Sequence, residues 1–240
     1  MTAKHFPRYT TIRLSLLLTA ALLALALPTP ARAAPAPEET ALTSPWFPET
    51  LSVGGYFACA LRADGTLACW GRNTHGQSTP PAGTFGQVGA GSEFACGLRT
   101  DDTLACWGNN DSDQVTPPSG TFTRVSAGYF HACGLRTGGA IACWGDDSFG
   151  QASPPSGAFS QVSAGGYHTC GLRTDGTLDC WGSDLFGQAV PPAGTFTQVS
   201  AGGNHTCAMG ANGLWTCWGS NSDGQLNGYR VYLSLVACAY

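Results

Sequence analysis

The chain has 240 residues, of which only 11% are charged and 33 are glycine, with 11 cysteines and a formal charge of −4. That balance argues against long charged surface helices and for short strands joined by tight turns. Eleven cysteines are too many for an ordinary cytosolic protein.

In chain order, the first expected element is a targeting segment. Lys4, Arg8 and Arg13 form a basic start, Leu14 to Leu27 is an uncharged apolar run, and Pro28 breaks it. Ala31-Arg32-Ala33 then places small residues where a signal peptidase reads. The apolar run is shorter than the ~20 residues a helix needs to span a bilayer. Residues 1–33 are therefore expected to be a cleaved signal peptide, and the mature chain to start at Ala34 and be secreted, cell-surface or periplasmic. No cysteine sits at the cleavage site and no second long apolar stretch occurs, so no membrane span is expected after cleavage. Residues 1–33 hold four of the 11 basic groups and no acid, leaving 7 basic against 15 acidic groups, a charge of −8, and no Lys. Phosphate backbones are bound by clustered Lys and Arg, so nucleic acid is not an expected partner. Residues 34–45, rich in Ala and Pro, read as an extended linker.

Residues 46–240 read as one repeat domain. Cys59, Cys96, Cys133, Cys170 and Cys207 recur every 37 residues, as do Cys69, Cys106, Cys143, Cys180 and Cys217, each followed by Trp. Five copies in register without an insertion mark a repeat architecture. No stretch past the signal peptide has a helical period over ten residues. The copy starting at Phe159 shows the elements. FSQVSAG is a first strand, HTCGLRT and TLDCWG are two more around Asp175-Gly176, and GQAV before Pro191-Pro192 is a weak fourth. All-β structure follows.

The hairpin register follows from the turn. Gly65, Gly139, Gly176 and Gly213 recur at the third turn position, with Asp102 in the second copy. A three-residue loop ending in the left-handed region, Thr174-Asp175-Gly176, pairs Leu172 with Leu178 and sets Cys170 opposite Cys180. Alternation places Cys170, Leu172, Leu178 and Cys180 on one face, and Gly171 and Trp181 on the other. The small residue at Gly171 leaves room for the Trp or a neighbouring sheet. Both faces carry packing residues, so each sheet is expected to lie between two others.

Cross-strand opposition in an exported chain predicts five disulfides: Cys59–Cys69, Cys96–Cys106, Cys133–Cys143, Cys170–Cys180 and Cys207–Cys217. Zinc pairs sit two to four residues apart, unlike these, so no metal or other cofactor is expected. Cys238 is left over, as a free thiol or an intermolecular link.

The stretches VSAGGYHTCGL at Val162 and VSAGGNHTCAM at Val199, with GTLDCWGSDLFGQ, resemble the regulator of chromosome condensation repeat family. Phe57 and Phe94 depart from it where later copies have His131, His168 and His205. The paired cysteines resemble exported bacterial branches of that family. The resemblance implies a β-propeller, usually of seven blades. Five copies here imply an incomplete propeller, or one closed by the C-terminal strand, since Leu233 and Val236 stand 37 residues past Phe196 and Val199.

Two loop sets should share each rim. The RTDGT and PPAGT turns barely vary and read as structural. The opposite rim varies and carries aromatic and acidic side chains, so a binding face is expected there, with Tyr56, Phe94, Phe130, Phe149, Tyr167, Phe186 and Asn204 as its contact residues and a protein or glycan as partner. The recurrent His side chains are expected to hydrogen-bond a neighbouring turn. The repeated Trp is expected to pack between blades, and Arg62, Arg99, Arg136 and Arg173 to be solvated. NNDSD at Asn109 hints at Ca²⁺ without matching a full calcium loop. No catalytic constellation stands outside the repeated positions. The expected function is a secreted, non-enzymatic binding or scaffold module. The resemblance also implies two other roles, a secreted inhibitor of an extracellular enzyme such as a β-lactamase, and guanine-nucleotide exchange, which export and the acidic mature charge oppose. Self-association is a further expectation.

Overall fold

A computed structural model describes residues 51–226 of the chain. The expected signal peptide, the linker, the sixth first strand with Leu233 and Val236, and Cys238 lie outside the described residues.

The described residues form five three-stranded antiparallel sheets, each a consecutive meander. The first blade holds β1 (Leu51–Val53), β2 (Phe57–Leu61) and β3 (Leu67–Gly71); the second β4 (Phe85–Ala90), β5 (Phe94–Arg99) and β6 (Leu104–Gly108). The third holds β7 (Phe122–Ala127), β8 (His131–Arg136) and β9 (Ile141–Gly145). The fourth is β10 (Phe159–Ala164), β11 (His168–Arg173) and β12 (Leu178–Gly182), and the fifth β13 (Phe196–Ala201), β14 (His205–Gly210) and β15 (Trp215–Gly219).

The central hairpin has the register its cysteines require. Leu172 faces Leu178 and Cys170 faces Cys180, with the same pairing in every blade. Gly176 has φ +87° and its N–H donates to the Arg173 carbonyl at 3.0 Å. Asp102 adopts the same left-handed conformation at φ +66°. All five disulfides are formed, with Cα atoms 4.0 to 4.1 Å apart.

The small position at Gly171 receives a phenylalanine. A Cβ there would lie 2.7 Å from the Phe159 ring. Phe159 comes from the first strand of the same blade, and Trp181 packs beside it at 6.5 Å between centroids.

The expected fourth strand is absent among the described residues, where every sheet has three strands. Gly187 at φ +76° turns the GQAV segment, and the Val190 N–H closes the turn onto the Gly187 carbonyl. The Gln188 carbonyl is occupied by the next blade, as described below. Two prolines then follow, which cannot donate to a ladder.

The second, third and fourth sheets each lie between two neighbours, whereas the first and fifth pack against one, and the seams are asymmetric. In the first seam Phe57, Cys59 and Leu61 of one blade meet Phe85, Val88 and Trp107 of the next. The other three seams repeat this front-to-back arrangement. Burial of such side chains contributes roughly 1.5–3 kcal/mol each, so the seams hold the blades together. Polar clamps reinforce them at the inner strands. The Gln161 side-chain amide accepts from the Val199 N–H at 3.1 Å and donates to the Val199 carbonyl at 3.0 Å. Gln87 holds Val125 in the same way. The hydroxyls of Ser52, Ser126 and Ser163 each accept the N–H of an alanine one blade on, at 2.9 Å.

No seam of buried residues joins the fifth sheet to the first among the described residues, so the blades form an arc whose two end faces are uncovered. Trp70 on the first sheet is 53% exposed, whereas its equivalents Trp107 and Trp144 are 8% exposed.

Three of the arginines are not solvated as expected. Arg99, Arg136 and Arg173 lie 4.8 to 5.0 Å over the rings of Phe85, Phe122 and Phe159. Their guanidinium groups also donate to the carbonyls of Ala82, Ser119 and Ser156 in the Pro-Pro turns. Each covers an apolar core residue that the turn leaves open, a cation–π arrangement. Arg173 is also paired with Asp179.

Candidate interaction face

The variable rim is built from the loop after each first strand and the loop after each third strand. One backbone bond ties the two together in every blade, from Arg72, Asn109, Asp146, Ser183 and Ser220 N–H to the carbonyls of Tyr56, Glu93, Phe130, Tyr167 and Asn204, at 2.8 to 2.9 Å.

The loop after the third strand is closed from inside by a glutamine. Gln77, Gln114, Gln151 and Gln188 are buried. Their side-chain oxygens accept the N–H two residues back at 2.8 Å. Their Nε2 groups find the first loop residue in three of the four cases: Asn109, Asp146 and Ser183. Arg72 stands at that place in the first blade and offers no acceptor, and Gln77 Nε2 is buried without a partner. A second loop residue, Asn110, Asp147 or Asp184, accepts the N–H five residues on at 2.7 to 3.0 Å.

The glutamine backbone then reaches the next blade. The Gln151 carbonyl accepts both the Trp181 indole N–H at 2.9 Å and the Thr169 hydroxyl at 2.9 Å. The Gln188 carbonyl does the same for Trp218 and Thr206. The Trp side chains thus pack the seams, and they also anchor the preceding blade's rim loop.

Two of the three recurrent histidines, His131 and His168, bond across the seam, not to a turn. His131 Nε2 lies 2.8 Å from the Thr169 hydroxyl and His168 Nε2 lies 2.8 Å from that of Thr206. Each threonine hydroxyl donates to a glutamine carbonyl, so it accepts from the imidazole. Both rings are fully buried with Nδ1 unpartnered. Burial, with a lesser contribution from the next histidine along, lowers their pKa to about 4. A neutral, buried, repeated imidazole is a poor general base at neutral pH.

Phe94 is not a rim residue. It occupies the histidine column on a strand, is 0% exposed, and packs with Cys96 and Trp144 in the second seam. Its backbone neighbour Glu93 reaches the rim, while its side chain points inward because alternation along β5 reverses the face.

The other expected contact residues divide into separate groups. Tyr167 is the hub of an aromatic cluster, 5.6 Å from Tyr129, 6.0 Å from Phe130 and 5.6 Å from Phe149 between ring centroids. Tyr129, which sequence reasoning did not single out, extends across the seam over Gly166 and Gly203; a Cβ at Gly203 would meet its hydroxyl at 2.6 Å. Tyr129 and Phe149 are exposed, and Phe130 and Tyr167 are half-buried. Phe186 and Asn204 are exposed on the following loops. Tyr56 stands apart in the first blade under the Arg72 guanidinium at 4.2 Å. Arg72 and His75 both meet the Glu93 carboxylate, at 3.2 and 3.4 Å.

Of the two acids of the NNDSD segment, Asp111 is held within the loop by Asn109. Asn109 binds the Asp111 carboxylate and backbone, and Asn110 the Val115 N–H. Among the described residues no group of three or more His, Cys, Asp or Glu gathers as a metal ion requires. Asp113 takes φ +60° at the place where the other copies have Gly76, Gly150, Gly187 and Gly224.

The inner strands line a cavity of about 220 Å³. Its polar lining repeats equivalent Ser and Gln side chains, with Arg124 as the exception. A second space of about 320 Å³ is lined by Gly54, Gly91, Gly128, Gly165 and Tyr129. Like groups from successive blades do not make the set of unlike acid, base and nucleophile that catalysis calls for.

The family model described as Regulator of chromosome condensation (RCC1) repeat matches residues 50–77, 87–114, 122–151, 159–188 and 196–225. No curated protein is matched. Among solved structures, the chain is similar to the ectodomain of the Physcomitrella patens receptor kinase CR4, with 30% identity and a TM-score of 0.63 over 70% of this chain and 50% of that one. It is similar to the CRINKLY WD40 ectodomain of the Arabidopsis thaliana receptor kinase ACR4, with 28% identity and a TM-score of 0.59 over 70% and 62%. It shares its fold with yeast RCC1 (Prp20), solved with Kap60 bound, at 18% identity and a TM-score of 0.60 over 70% and 55%. The chain thus spans half to about three fifths of the length of these structures.

Proposed function

The chain belongs to the regulator of chromosome condensation repeat family, and on that premise we propose that it is an exported, non-enzymatic binding module. It engages a protein through the aromatic cluster on its third and fourth blades. The observation that carries this reading is the Tyr167 hub. Four rings from two blades meet on the rim, and the loop that carries Phe149 is pinned from below by Gln151. Rigid, partly exposed aromatic side chains are favoured interface anchors because they bury much area with little loss of rotamer freedom.

Asp146, Asp147 and Asp184 sit on the loops beside the cluster, which suits a partner with basic groups around an apolar contact. Three of the four ring contacts are edge-to-face. The patch therefore offers an uneven apolar surface more than the flat ring faces on which a sugar stacks. Export is supported by the five disulfides, which persist in oxidising compartments, and by the likeness to two receptor-kinase ectodomains.

The test compares the wild-type exported protein with F149S/Y167S in capture of extracellular proteins, with a glycan array and an inhibition assay on any enzyme captured. The reading expects a wild-type protein partner whose affinity falls at least tenfold in the variant while the five disulfides stay intact. A partner held equally by both forms, or binding to glycans alone, overturns it.

A further inference from the structure

The uncovered front face of the fifth sheet follows the pattern of the four faces that receive a neighbour, with His205 and Cys207 in the usual places and Met209 and Trp215 where the others have Leu paired with Leu or Ile. Cys170 and His168 are fully buried in the last seam, whereas their counterparts Cys207 and His205 are only half-buried. Trp215 on the same sheet is 42% exposed. The clamp positions are affected too. Gln161 and Ser163 grip the fifth blade, but Gln198 and Ser200, their counterparts, are exposed and grip nothing among the described residues.

We propose that this face is the docking site of the chain's own segment Leu233–Cys238, which lies on it as an inner strand. Three features support this occupant. Leu233 and Val236 have the three-residue spacing of Phe196 and Val199 and stand 37 residues past them. The stretch from Gln225 to Leu233 equals that from Gln188 to Phe196, so the connection has the length used in the preceding blade. The clamps also fall in register. Ser163 accepts the N–H of Ala201, 38 residues on, and the same step from Ser200 reaches Cys238. The same step from Gln161 to Val199 carries Gln198 to Val236. Alanines at the Cys238 position turn their side chains toward the preceding blade, as Ala90 and Ala127 do in the first two seams. Cys238 in this register faces Ser200. The segment acts as a cap, which repeat arrays need at their ends to cover apolar surface. This inference does not depend on the reading of the aromatic rim.

The test is S200C in the full-length oxidised chain, read by peptide mapping under non-reducing conditions. The expected result is an intramolecular disulfide between the new thiol and Cys238 in most molecules, with the five native bridges kept. S163C, one blade earlier and already facing Ala201, is expected to leave Cys238 unlinked. A disulfide-linked dimer through the same two positions overturns the proposal in favour of a second copy as occupant. Free thiols at both positions, or equal linkage from S163C, overturn the register. Should S200C lose its native bridges, V236D in the otherwise native chain gives the second readout. Reduction of Cys207–Cys217 is expected to become about tenfold faster, and an unchanged rate overturns the proposal.

Discussion

His131 in the third blade donates through Nε2 to the Thr169 hydroxyl in the fourth, across 2.8 Å. The same relation links His168 to Thr206. In the two earlier seams both polar partners are absent together: Phe57 and Phe94 stand in the histidine column, and Ala95 and Ala132 stand 38 residues on, all buried. The chain thus contains a polar and an apolar version of one contact.

That pairing predicts a strong coupling. T169A alone leaves a buried imidazole N–H without an acceptor and is expected to cost about 1–3 kcal/mol. H131F/T169A recreates the earlier seams and is expected to lie within about 1 kcal/mol of wild type. A double-mutant cycle by urea unfolding measures the difference.

The same histidines predict acid sensitivity. Their folded pKa is about 4, lowered by burial, against an ordinary value of about 6.5. Between those values the unfolded chain binds protons that the folded chain refuses. Stability therefore falls as pH falls through that window, by up to about 1.4 kcal/mol per pH unit for each histidine. It levels off, for these groups, below the folded value. Unfolding midpoints at pH 7, 5.5 and 4.5 check this, and H131F/T169A/H168F/T206A is expected to show a flatter profile.

Asp113 and Asp102 hold left-handed backbone conformations that glycine adopts in the other copies. Their replacement by Gly relieves a Cβ–carbonyl clash and adds some freedom to the unfolded chain. Each of D113G and D102G is expected to gain about 0.5–1 kcal/mol, read from the denaturation midpoint.

Removal of one disulfide restores chain entropy to the unfolded state. For a loop this short, C133A/C143A is expected to cost about 2–3 kcal/mol, measured by the same unfolding assay, while its far-ultraviolet circular dichroism stays that of a β protein.

Gln151 supports the loop carrying Phe149 through its side-chain oxygen, and its Nε2 holds Asp146. Q151A orphans both groups and opens a cavity, an expected loss of about 2–4 kcal/mol. Q225A, at a half-buried site in the last copy, is expected to cost less than half as much. Thermal unfolding of the two variants side by side decides.

What was legible in the sequence was local. The register that opposes Cys170 to Cys180 follows from a three-residue loop, because a hairpin is fixed by its turn. The contacts between blades were not legible in the same way. Trp181 finds Gln151 thirty residues back, and His131 finds Thr169 thirty-eight residues on. Neither separation equals the 37-residue period that draws attention. Phe94 looked like a rim residue because it follows Glu93, but one step along a strand reverses the face. The arginines before each turn looked solvated because the phenylalanines they cover lie fourteen residues earlier. The GQAV segment has the composition of a strand, yet its left-handed glycine and its carbonyl bonds to the next blade leave no ladder to form. The rim aromatics were legible as exposed types; their convergence on Tyr167 depends on how adjacent blades lie, which no single copy encodes.

The copy that repeats in sequence and the core that packs in space are out of phase. A 37-residue copy supplies the back of one seam and the front of the next, so no copy contains a core of its own. Duplicating a copy inside the array would add one seam and leave both terminal faces chemically as they were. The interfaces therefore carry no count. They specify how a blade sits on its predecessor and say nothing about how many should follow, so copy number can drift through recombination without any seam having to be reinvented.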